Sequence, residues 1–476
     1  MSDKTPVASA DGTTGQPELK RVMGPGLLLL FIVGDILGTG IYALTGTIAK
    51  EVGGAVWLPF LLAFAVALMT AFAYLELVTK YPEAGGAAVY THKAYGIGFL
   101  TFMVAFTVMC SGITSASTAS RAFSENFLKG FHLPSNEGTI TMLGIGFILL
   151  VMAINLWGVG ESVKLNVVLT LIELTGLLIV IFVGFMAMAE GKADFSRTMI
   201  FESQSDKSWF LAVSAATSVA FFAMVGFEDS VNMAEETKDP SRIFPKIMLT
   251  GLMITGVIYV LVSLAAVAIV PIGDLTAAKA TPLLTVVQMG APGLPFGAIF
   301  PFISMFAVAN TALINMMMGS RLLYGMARTK VLPPCFGWVL PGRRTPWFSI
   351  VFTTLIAVAL ITFVGQVSEL GGTTALLLLA VFTLTNIAVL ILRKDKVEHD
   401  HFRAPTWIPI LGALCTFYLV GPWTGRATVQ FQIALVLIGI GAVLGVIMFF
   451  VNKAIYHRAT KFDDIAAMDE GDGPLN

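Results

Sequence analysis

The chain of 476 residues is 56% hydrophobic and only 12% charged, with a formal net charge of −1. Soluble domains carry about 25% charged residues, so this chain has too few polar residues to cover a surface that faces water. The balanced charge, without any dense basic tract, gives no indication of a nucleic-acid partner. The three cysteines are far apart, and their spacing predicts neither a disulfide framework nor a metal site.

Apolar runs follow one another along the whole chain, and many approach the roughly 20 residues that a helix needs to cross a hydrocarbon core of about 30 Å. A transmembrane β-barrel would instead show segments of about ten residues with alternating hydrophobicity, a pattern that the sequence lacks. We therefore predict an all-α membrane protein of about twelve transmembrane helices. The predicted spans are 26–49, 56–80, 97–119, 139–158, 166–189, 209–233, 244–272, 296–325, 347–365, 370–392, 406–422 and 430–452.

The charges outside the spans predict the side of the membrane on which each end lies. The first apolar run is too long for a signal-peptide core and lacks a small-residue cleavage site, so we expect it to be retained. If the N-terminus faces the cytoplasm, 21 of the 29 Lys and Arg residues lie on that side. Because positive residues favour the cytoplasmic side, we expect a multi-pass protein of the plasma or inner membrane with both termini in the cytoplasm.

Two glycines weaken the first span near its middle. Gly38 and Gly40 flank Thr39 in the segment GDILGTGIY, and a glycine costs a helix about 1 kcal/mol relative to alanine. Close helix packing on small residues is an alternative explanation. The sixth span contains a second such place, FFAMVGFED, in which Gly226 lies next to acidic residues. Interruptions at corresponding positions of two halves indicate the midplane binding site of a transporter.

A broken helix offers backbone groups to a ligand without any charged side chain. The N–H groups at the start of one half-helix attract a carboxylate, and the C=O groups at the end of the other half accept hydrogen bonds from an ammonium group. One broken pair can therefore hold both ends of an amino acid. As substrate-binding residues we predict the amides of Gly38, Thr39 and Gly40, the carbonyls of Ile36, Phe222 and Ala223, and Val225 beside them.

Motifs along spans one to eleven resemble those of one transporter superfamily. GDILGTGIY is similar to the G-x-x-x-G-[ST]-G-I signature in the first helix of the amino acid–polyamine–organocation superfamily. The segments YLEL and YPEAGG, and FFAMVGFED followed by AEETKDPSR, resemble its second-helix and sixth-helix patterns. SRLLYGMAR in span eight and FRAP before span eleven resemble two more. Within the superfamily, the motifs look most like those of cationic amino acid transporters and bacterial amino acid permeases.

The resemblance implies two inverted five-helix repeats with helices one and six broken, followed by two additional helices. The chain then divides into a cytoplasmic N-terminal tail (1–21), a first repeat (22–190), a second repeat (208–393), helices eleven and twelve (404–453) and a cytoplasmic C-terminal tail (454–476).

Four carboxyl groups lie within predicted spans, where a charge costs roughly 2.5–3.5 kcal/mol. They belong to Asp35, Glu173, Glu228 and Asp229, and no Lys, Arg or His is expected at their depth. Such groups must be protonated, face water or hold a cation, and each condition suits ion coupling or cation recognition. Asp35, Glu173 and Glu228 are therefore our candidates for coupling or for binding a cation.

Glu173 shares one helical face with Asn166 and Thr170, at spacings i, i+4 and i+7, so this face of span five should point inward. By its spacing from residues 160–162, Glu173 takes the place at which some proton-coupled relatives carry a Lys, so their mechanism cannot be transferred. Three roles remain open. Glu173 takes the coupling proton, or it is protonated and hydrogen-bonded to span one or eight, or it binds sodium or another cation.

The other carboxyl groups also leave alternatives. Asp35 can contact a substrate amine, carry a proton or make a structural hydrogen bond. Glu228 matches the acidic residue of the resembled sixth helix and is expected to support the break, whereas one interpretation of Asp229 is that it faces the outer vestibule. Phe222 is a candidate gate or pocket wall, with ordinary packing as the alternative.

Polar residues elsewhere in the chain favour structural roles. Two helical stripes fit either close packing or the lining of a pocket: Thr107, Ser111, Thr114 and Thr118 on span three, and Ser304, Thr311 and Asn315 on span eight. A group near the cytoplasmic boundary is expected to stabilise loop contacts: Glu76, Glu235, Glu236, Lys238 and Arg242.

These observations predict a secondary-active amino acid permease that works by alternating access and is coupled to protons, with cationic or a broad set of amino acids slightly favoured. The sequence contains no G-x-x-x-x-G-K-[ST] phosphate-binding loop. An exchanger of polyamines and amino acids is the alternative, and a transport-inactive sensor or a membrane enzyme fits less well.

We expect no enzymatic activity, no metal or cofactor, and a proton, or else sodium, as coupling ion. The expected partners are a small amino acid or amine and the lipid bilayer, with the oligomeric state left open.

Overall fold

The computed structural model describes residues 24–82, 85–157, 162–202, 207–234, 237–328, 332–340, 343 and 345–455. Throughout these residues the regular elements are helices. The first half contains α1 (Pro25–Ile36), α2 (Thr39–Val52), α3 (Trp57–Lys80), α4 (Gly86–Tyr95), α5 (Gly98–Gly130), α6 (Glu137–Trp157) and α7 (Ser162–Ala189). The rest contains α8 (Trp209–Ala220), α9 (Pro240–Ile269), α10 (Ile272–Ala277), α11 (Pro282–Gly290), α12 (Phe296–Arg328), α13 (Trp347–Phe363), α14 (Val367–Leu392), α15 (Trp407–Val420) and α16 (Thr428–Ile455).

Ten helical segments of the described chain are long and apolar enough to cross a membrane, and α13 and α15 are shorter apolar helices. Each corresponds to one predicted span, with α1 and α2 together forming the first, and α8 with two 3₁₀ segments forming the sixth. The prediction of an all-α membrane protein with about twelve helices is confirmed. The division into two inverted repeats stays a prediction, and the predicted tails lie outside the described residues except for the end of α16.

The third span is longer than predicted, because its C-terminal part is polar and still helical. The predicted span ends at 119, whereas α5 continues to Gly130. The hydroxyl of Ser124 donates to the carbonyl of Ser120 at 2.9 Å, and the Ser120 hydroxyl donates to the carbonyl of Gly144 in α6, also at 2.9 Å. Buried hydroxyl groups that bond to the main chain are tolerated inside a protein, so hydropathy alone places the end of this helix too early.

Glu76, near the end of α3, holds the connection between α14 and α15. Its side chain is 2% exposed, and its two oxygens accept hydrogen bonds from the Arg393 guanidinium at 2.8 and 2.7 Å. Oε2 also accepts from the N–H of Ala404 at 2.9 Å. This two-pronged contact joins the YLEL and FRAP segments and supports the structural interpretation of Glu76. Glu235 and Glu236 lie outside the described residues.

Three short helices in the connections were not predicted. The helix α4 follows α3, in the connection between the second and third predicted spans, and carries His92. The helices α10 and α11 lie in the connection between α9 and α12. The carbonyl of Leu275 in α10 comes so close to α2 that a Cβ on Gly46 would stand 2.5 Å from its oxygen. The connection therefore packs against the C-terminal half of α2, on the side of the membrane spans away from the N-terminus of the chain.

Candidate functional site

The first break separates α1 from α2. The helix α1 ends at Ile36, Gly38 has φ −59° and ψ −145°, and α2 begins at Thr39. The first N–H groups of α2 have no helical acceptor four residues earlier, so those of Thr39 and Gly40 point toward the break. Thr311 of α12 approaches from the other side, and a Cβ on Gly38 would stand 2.3 Å from its hydroxyl oxygen.

The second break lies between two 3₁₀ segments, Phe221–Met224 and Phe227–Met233. Val225 is extended, and Gly226 has a φ of +126°, a region that residues with a side chain rarely adopt. The carboxylate of Glu228 accepts a hydrogen bond from the N–H of Gly226 at 2.9 Å. This contact fits the expectation that Glu228 supports the break.

The two breaks cross in direct contact. A Cβ on Gly226 would stand 2.7 Å from the backbone carbon and oxygen of Asp35, and a Cβ on Gly40 would stand 2.4 Å from the Cα of Ala223. Glycine at both positions lets one interrupted backbone lie against the other. The carbonyl at the end of α1, that of Ile36, accepts a hydrogen bond from the Tyr259 hydroxyl of α9 at 2.5 Å. This predicted amine ligand therefore already has one partner.

A cavity of about 20 Å³ lies at the crossing. Ala223 does not line it, because its backbone packs against Gly40. Ser115 of α5 lines it and was missed by the sequence analysis, although it lies on the turn after Ser111. Thr311 and Asn315, which belong to the predicted stripe of span eight, line it as well. The predicted substrate-binding residues that line it are Ile36, Gly38, Thr39, Gly40, Phe222 and Val225.

The four carboxyl groups of the predicted spans lie near one another, and two of them line this cavity. Asp35 and Asp229 line it, and the carboxyl group of Asp35 has those of Asp229, Glu228 and Glu173 as electrostatic neighbours. One oxygen of Asp35 is buried and has no hydrogen-bond partner in the ranges that the structure describes. Among the described residues, no ion pair involves any of the four. The crossing is therefore acidic, and the nearest basic group that shares a cavity with these carboxyl groups is Arg321, which lines the adjoining cavity with Glu228 and Asp229 without forming an ion pair among the described residues.

Glu173 is fully buried, and neither oxygen of its carboxyl group has a hydrogen-bond partner among the described residues. The structural hydrogen bond to span one or eight is therefore not formed here. Asn166 and Thr170 are also buried, as expected for an inward face. Thr170 contacts α1 so closely that a Cβ on Gly34 would stand 1.8 Å from its hydroxyl oxygen. Tyr42 of α2 donates its hydroxyl to the main-chain carbonyl of Glu173 at 2.6 Å.

Two larger cavities lie on either side of the crossing. On the side of the N-terminus, where α3 ends and α4 begins, a cavity of about 250 Å³ shares Val225, Asp229 and Asn315 with the small one. On the opposite side, a cavity of about 720 Å³ is lined by charged side chains, and we call it the vestibule. Asp229 faces the N-terminal side, and not the vestibule that one interpretation assigned to it.

The stripe on span three has a divided role. Thr107 and Thr118 donate to carbonyls of their own helix, at 2.7 and 2.8 Å. The Thr114 hydroxyl lies 2.7 Å from that of Thr374 in α14, so this residue joins two helices. Ser111 lines the 250 Å³ cavity. Packing therefore explains most of the stripe, and lining of a cavity explains one member.

Comparison with known proteins gives one family and relatives of similar length. A sequence model of the family described as "Amino acid permease" matches residues 27–450. The Branched-chain amino acid permease BcaP of Bacillus subtilis (strain 168) is 26% identical over 85% of this chain and 88% of its own. The Methylthioribose transporter of the same organism is 28% identical over 87% of this chain and 91% of its own.

Plant proteins are similar over a smaller share of their own length. The vacuolar Cationic amino acid transporter 4 of Arabidopsis thaliana is 28% identical over 80% of this chain, and the match covers 64% of that relative. The resemblance inferred from the motifs is confirmed. Since the family match spans most of the chain, from the start of α1 into α16, this protein belongs to the amino acid permease family.

Proposed function

We propose that this chain is a secondary-active amino acid permease that works by alternating access, with the crossing of the two broken helices as its substrate site. The observation that carries this proposal is the direct contact of both breaks, at Gly226 with Asp35 and at Gly40 with Ala223. Two interrupted backbones meet there in the midst of the membrane spans, beside carboxyl groups that form no ion pair within the described part of the chain.

The backbone groups at the crossing match the two ends of an amino acid. The N-terminus of α2 carries partial positive charge, and its N–H groups at Thr39 and Gly40 suit a carboxylate. The ammonium group would lie near the carbonyl of Phe222 and the carboxyl groups of Asp35 and Asp229. The carbonyl of Ile36 retains a second lone pair beside its bond to Tyr259.

The substrate side chain needs more room than the crossing provides. A cavity of about 20 Å³ holds about one water molecule, whereas the adjoining cavity of about 250 Å³ has apolar walls at Met109 and Met318. It also has two carboxyl groups, at Glu228 and Asp229, and one guanidinium group, at Arg321. An aliphatic side chain matches the apolar walls, and the two carboxyl groups, which outnumber the single cation, can attract a terminal ammonium group. Relatives are named for cationic and for branched-chain amino acids, and we favour cationic or broad amino acid substrates.

For coupling, we propose that Glu173 takes a proton during the cycle. It is fully buried, and its carboxyl oxygens have no hydrogen-bond partner among the described residues. Among the described residues, its electrostatic neighbours are the hydroxyls of Tyr42 and Tyr259 and the carboxyl group of Asp35. A carboxyl group with no cation beside it gains a proton more readily than it keeps a charge. Proton symport is therefore favoured over sodium coupling.

We also propose a position in the plasma or inner membrane, with both termini in the cytoplasm and no enzymatic activity. In this orientation the 250 Å³ cavity opens toward the cytoplasm and the vestibule toward the outside.

Uptake by the purified protein in proteoliposomes tests this proposal. Radiolabelled arginine, lysine, leucine, a polyamine and methylthioribose are offered with and without an inward proton gradient. We expect at least one amino acid to accumulate above its external concentration and a protonophore to abolish the accumulation. Uptake that requires an internal amino acid would identify an exchanger. Accumulation of methylthioribose alone would contradict an amino acid permease.

A further inference from the structure

Three residues in contact, Leu44, Phe222 and Gly371, lie between the vestibule and the crossing. The ring of Phe222 stands 3.2 Å, and Leu44 of α2 stands 3.1 Å, from the position of a Cβ on Gly371 in α14. Phe222 is 5% exposed and Leu44 is 1% exposed. The vestibule reaches Ala43 and Val219 on one side of this contact, and the small cavity lies on the other. The contact of Gly371 with Phe222 and Leu44 is named the outer contact below.

Two residues at the start of α16, Arg426 just before it and Gln430 within it, contact the backbone next to the outer contact. Arg426, just before α16, donates from Nη1 to the carbonyl of Gly372 at 2.7 Å. Gln430 covers the same glycine, since a Cβ on Gly372 would stand 2.2 Å from its Nε2. The α14 turn that carries Gly371 and Gly372 therefore lies between Phe222 on one side and the Arg426–Gln430 pair on the other.

Arg426 ties three segments together through a single guanidinium. Besides Gly372, it donates from Nη1 to Oε1 of Gln430 at 3.1 Å and from Nη2 to the carbonyl of Leu419, at the end of α15, at 3.1 Å. The residue is 7% exposed, and no carboxylate bonds to it in the part of the chain that the structure describes. Burying a cation that is held only by neutral acceptors costs free energy. The planar guanidinium group has several N–H donors in a fixed fork, and this geometry allows one side chain to reach all three acceptors.

We propose that Arg426 is a positioning residue for the outer gate: by fixing the carbonyl of Gly372 it holds Gly371 against Phe222 and keeps the crossing closed from the vestibule. The proposal rests on the proposed function only in taking Phe222 as part of the transport path. It gives α15 and α16, which contribute no residue to the crossing, a role in gating. Opening of the gate then requires α14 to move away from Phe222 against this anchor.

Labelling of a cysteine behind the gate tests the proposal. The three native cysteines are replaced by alanine, and Ser115→Cys places a reporter in the small cavity. A membrane-impermeant thiol reagent is applied to vesicles of defined orientation from the vestibule side. We expect Arg426→Gln to raise the labelling rate at least fivefold. We expect Arg426→Lys, which keeps the charge but not the fork, to raise it less.

Two controls separate gating from general loosening. Arg121→Gln removes another buried guanidinium group that lines the vestibule. Arg121 bonds to Glu137 and to the carbonyl of Ile361 in α13, and not to α14. In the Arg121→Gln variant, the labelling rate of the cysteine at position 115 should therefore equal that of the parent. In a second background, Cys110, which is fully buried, is the reporter, and Arg426→Gln should leave its labelling unchanged.

The proposal is overturned if both Arg426 variants label at the parental rate, if Arg121→Gln accelerates labelling equally, or if Cys110 also becomes reactive. Should Arg426→Gln fail to fold, the Lys variant decides by the same criterion. Labelling needs no substrate, so a native chain, with Ser115 unchanged, that takes up no amino acid refutes the proposed function while leaving the gate result standing.

Discussion

At the scale of single residues, Glu228 distinguishes support of the break from ion coupling. Its carboxyl group accepts the N–H of Gly226 at 2.9 Å, and a buried N–H group that loses its acceptor costs about 1–3 kcal/mol. We expect Glu228→Ala to lower transport efficiency roughly 5- to 150-fold, which is this energy expressed as a rate ratio. Glu228→Gln keeps an acceptor and should retain most of the activity, as initial uptake rates will show. Equal loss in both variants would contradict the supporting role.

Glu173 carries the proposal of proton coupling. Glu173→Gln keeps the shape of the side chain but cannot release a proton. We expect net uptake to lose its dependence on the proton gradient while exchange of internal for external substrate continues. Glu125→Gln is the matched control, because Glu125 is also a buried glutamate but lines the vestibule, where its carboxyl group accepts the N–H of Ala280 at 3.1 Å. A Glu173→Gln variant with unchanged pH dependence would remove Glu173 from the coupling mechanism.

At the scale of elements, the break in the second helix requires a residue without a side chain at position 226, where Gly226 stands. Alanine in this left-handed conformation costs about 1–2 kcal/mol, and its Cβ would stand 2.7 Å from main-chain atoms of Asp35, which cannot rotate away. We expect Gly226→Ala to abolish transport and to lower the melting temperature of the purified protein. Gly146→Ala in α6, where nothing lies within 4 Å of the added Cβ, should be neutral or slightly stabilising. Normal uptake by Gly226→Ala would show that the breaks need not touch.

Sequence patterns predicted the spans and both breaks, because bilayer thickness and glycine placement act locally along the chain. They did not predict the helical C-terminal part of α5, whose hydroxyl groups are satisfied by the main chain. Nor did they predict the bond from Tyr259 to the carbonyl of Ile36, a contact between residues 223 positions apart. Contacts of this kind depend on how α9 packs against α1, and periodicity within one helix carries no information about them.

At the scale of the whole molecule, the distribution of positive charge predicts the orientation. With 21 of 29 Lys and Arg residues on the N-terminal side, we expect epitope tags at both ends to be protected from external protease in intact cells. A cysteine in the connection that contains α10 and α11 should react with an impermeant reagent from outside. An accessible N-terminal tag would reverse the assignment of the vestibule and of the 250 Å³ cavity to their sides.

The central claim for the whole molecule is that two helices part within the membrane and that their backbone groups bind the substrate. The most direct measurement is a structure of the protein with its transported amino acid bound. We expect the substrate carboxylate within hydrogen-bonding distance of the N–H groups of Gly38, Thr39 or Gly40, and its ammonium group beside Phe222 and Asp35. Substrate bound elsewhere, with the Gly38–Gly40 amides unoccupied in every state, would contradict it.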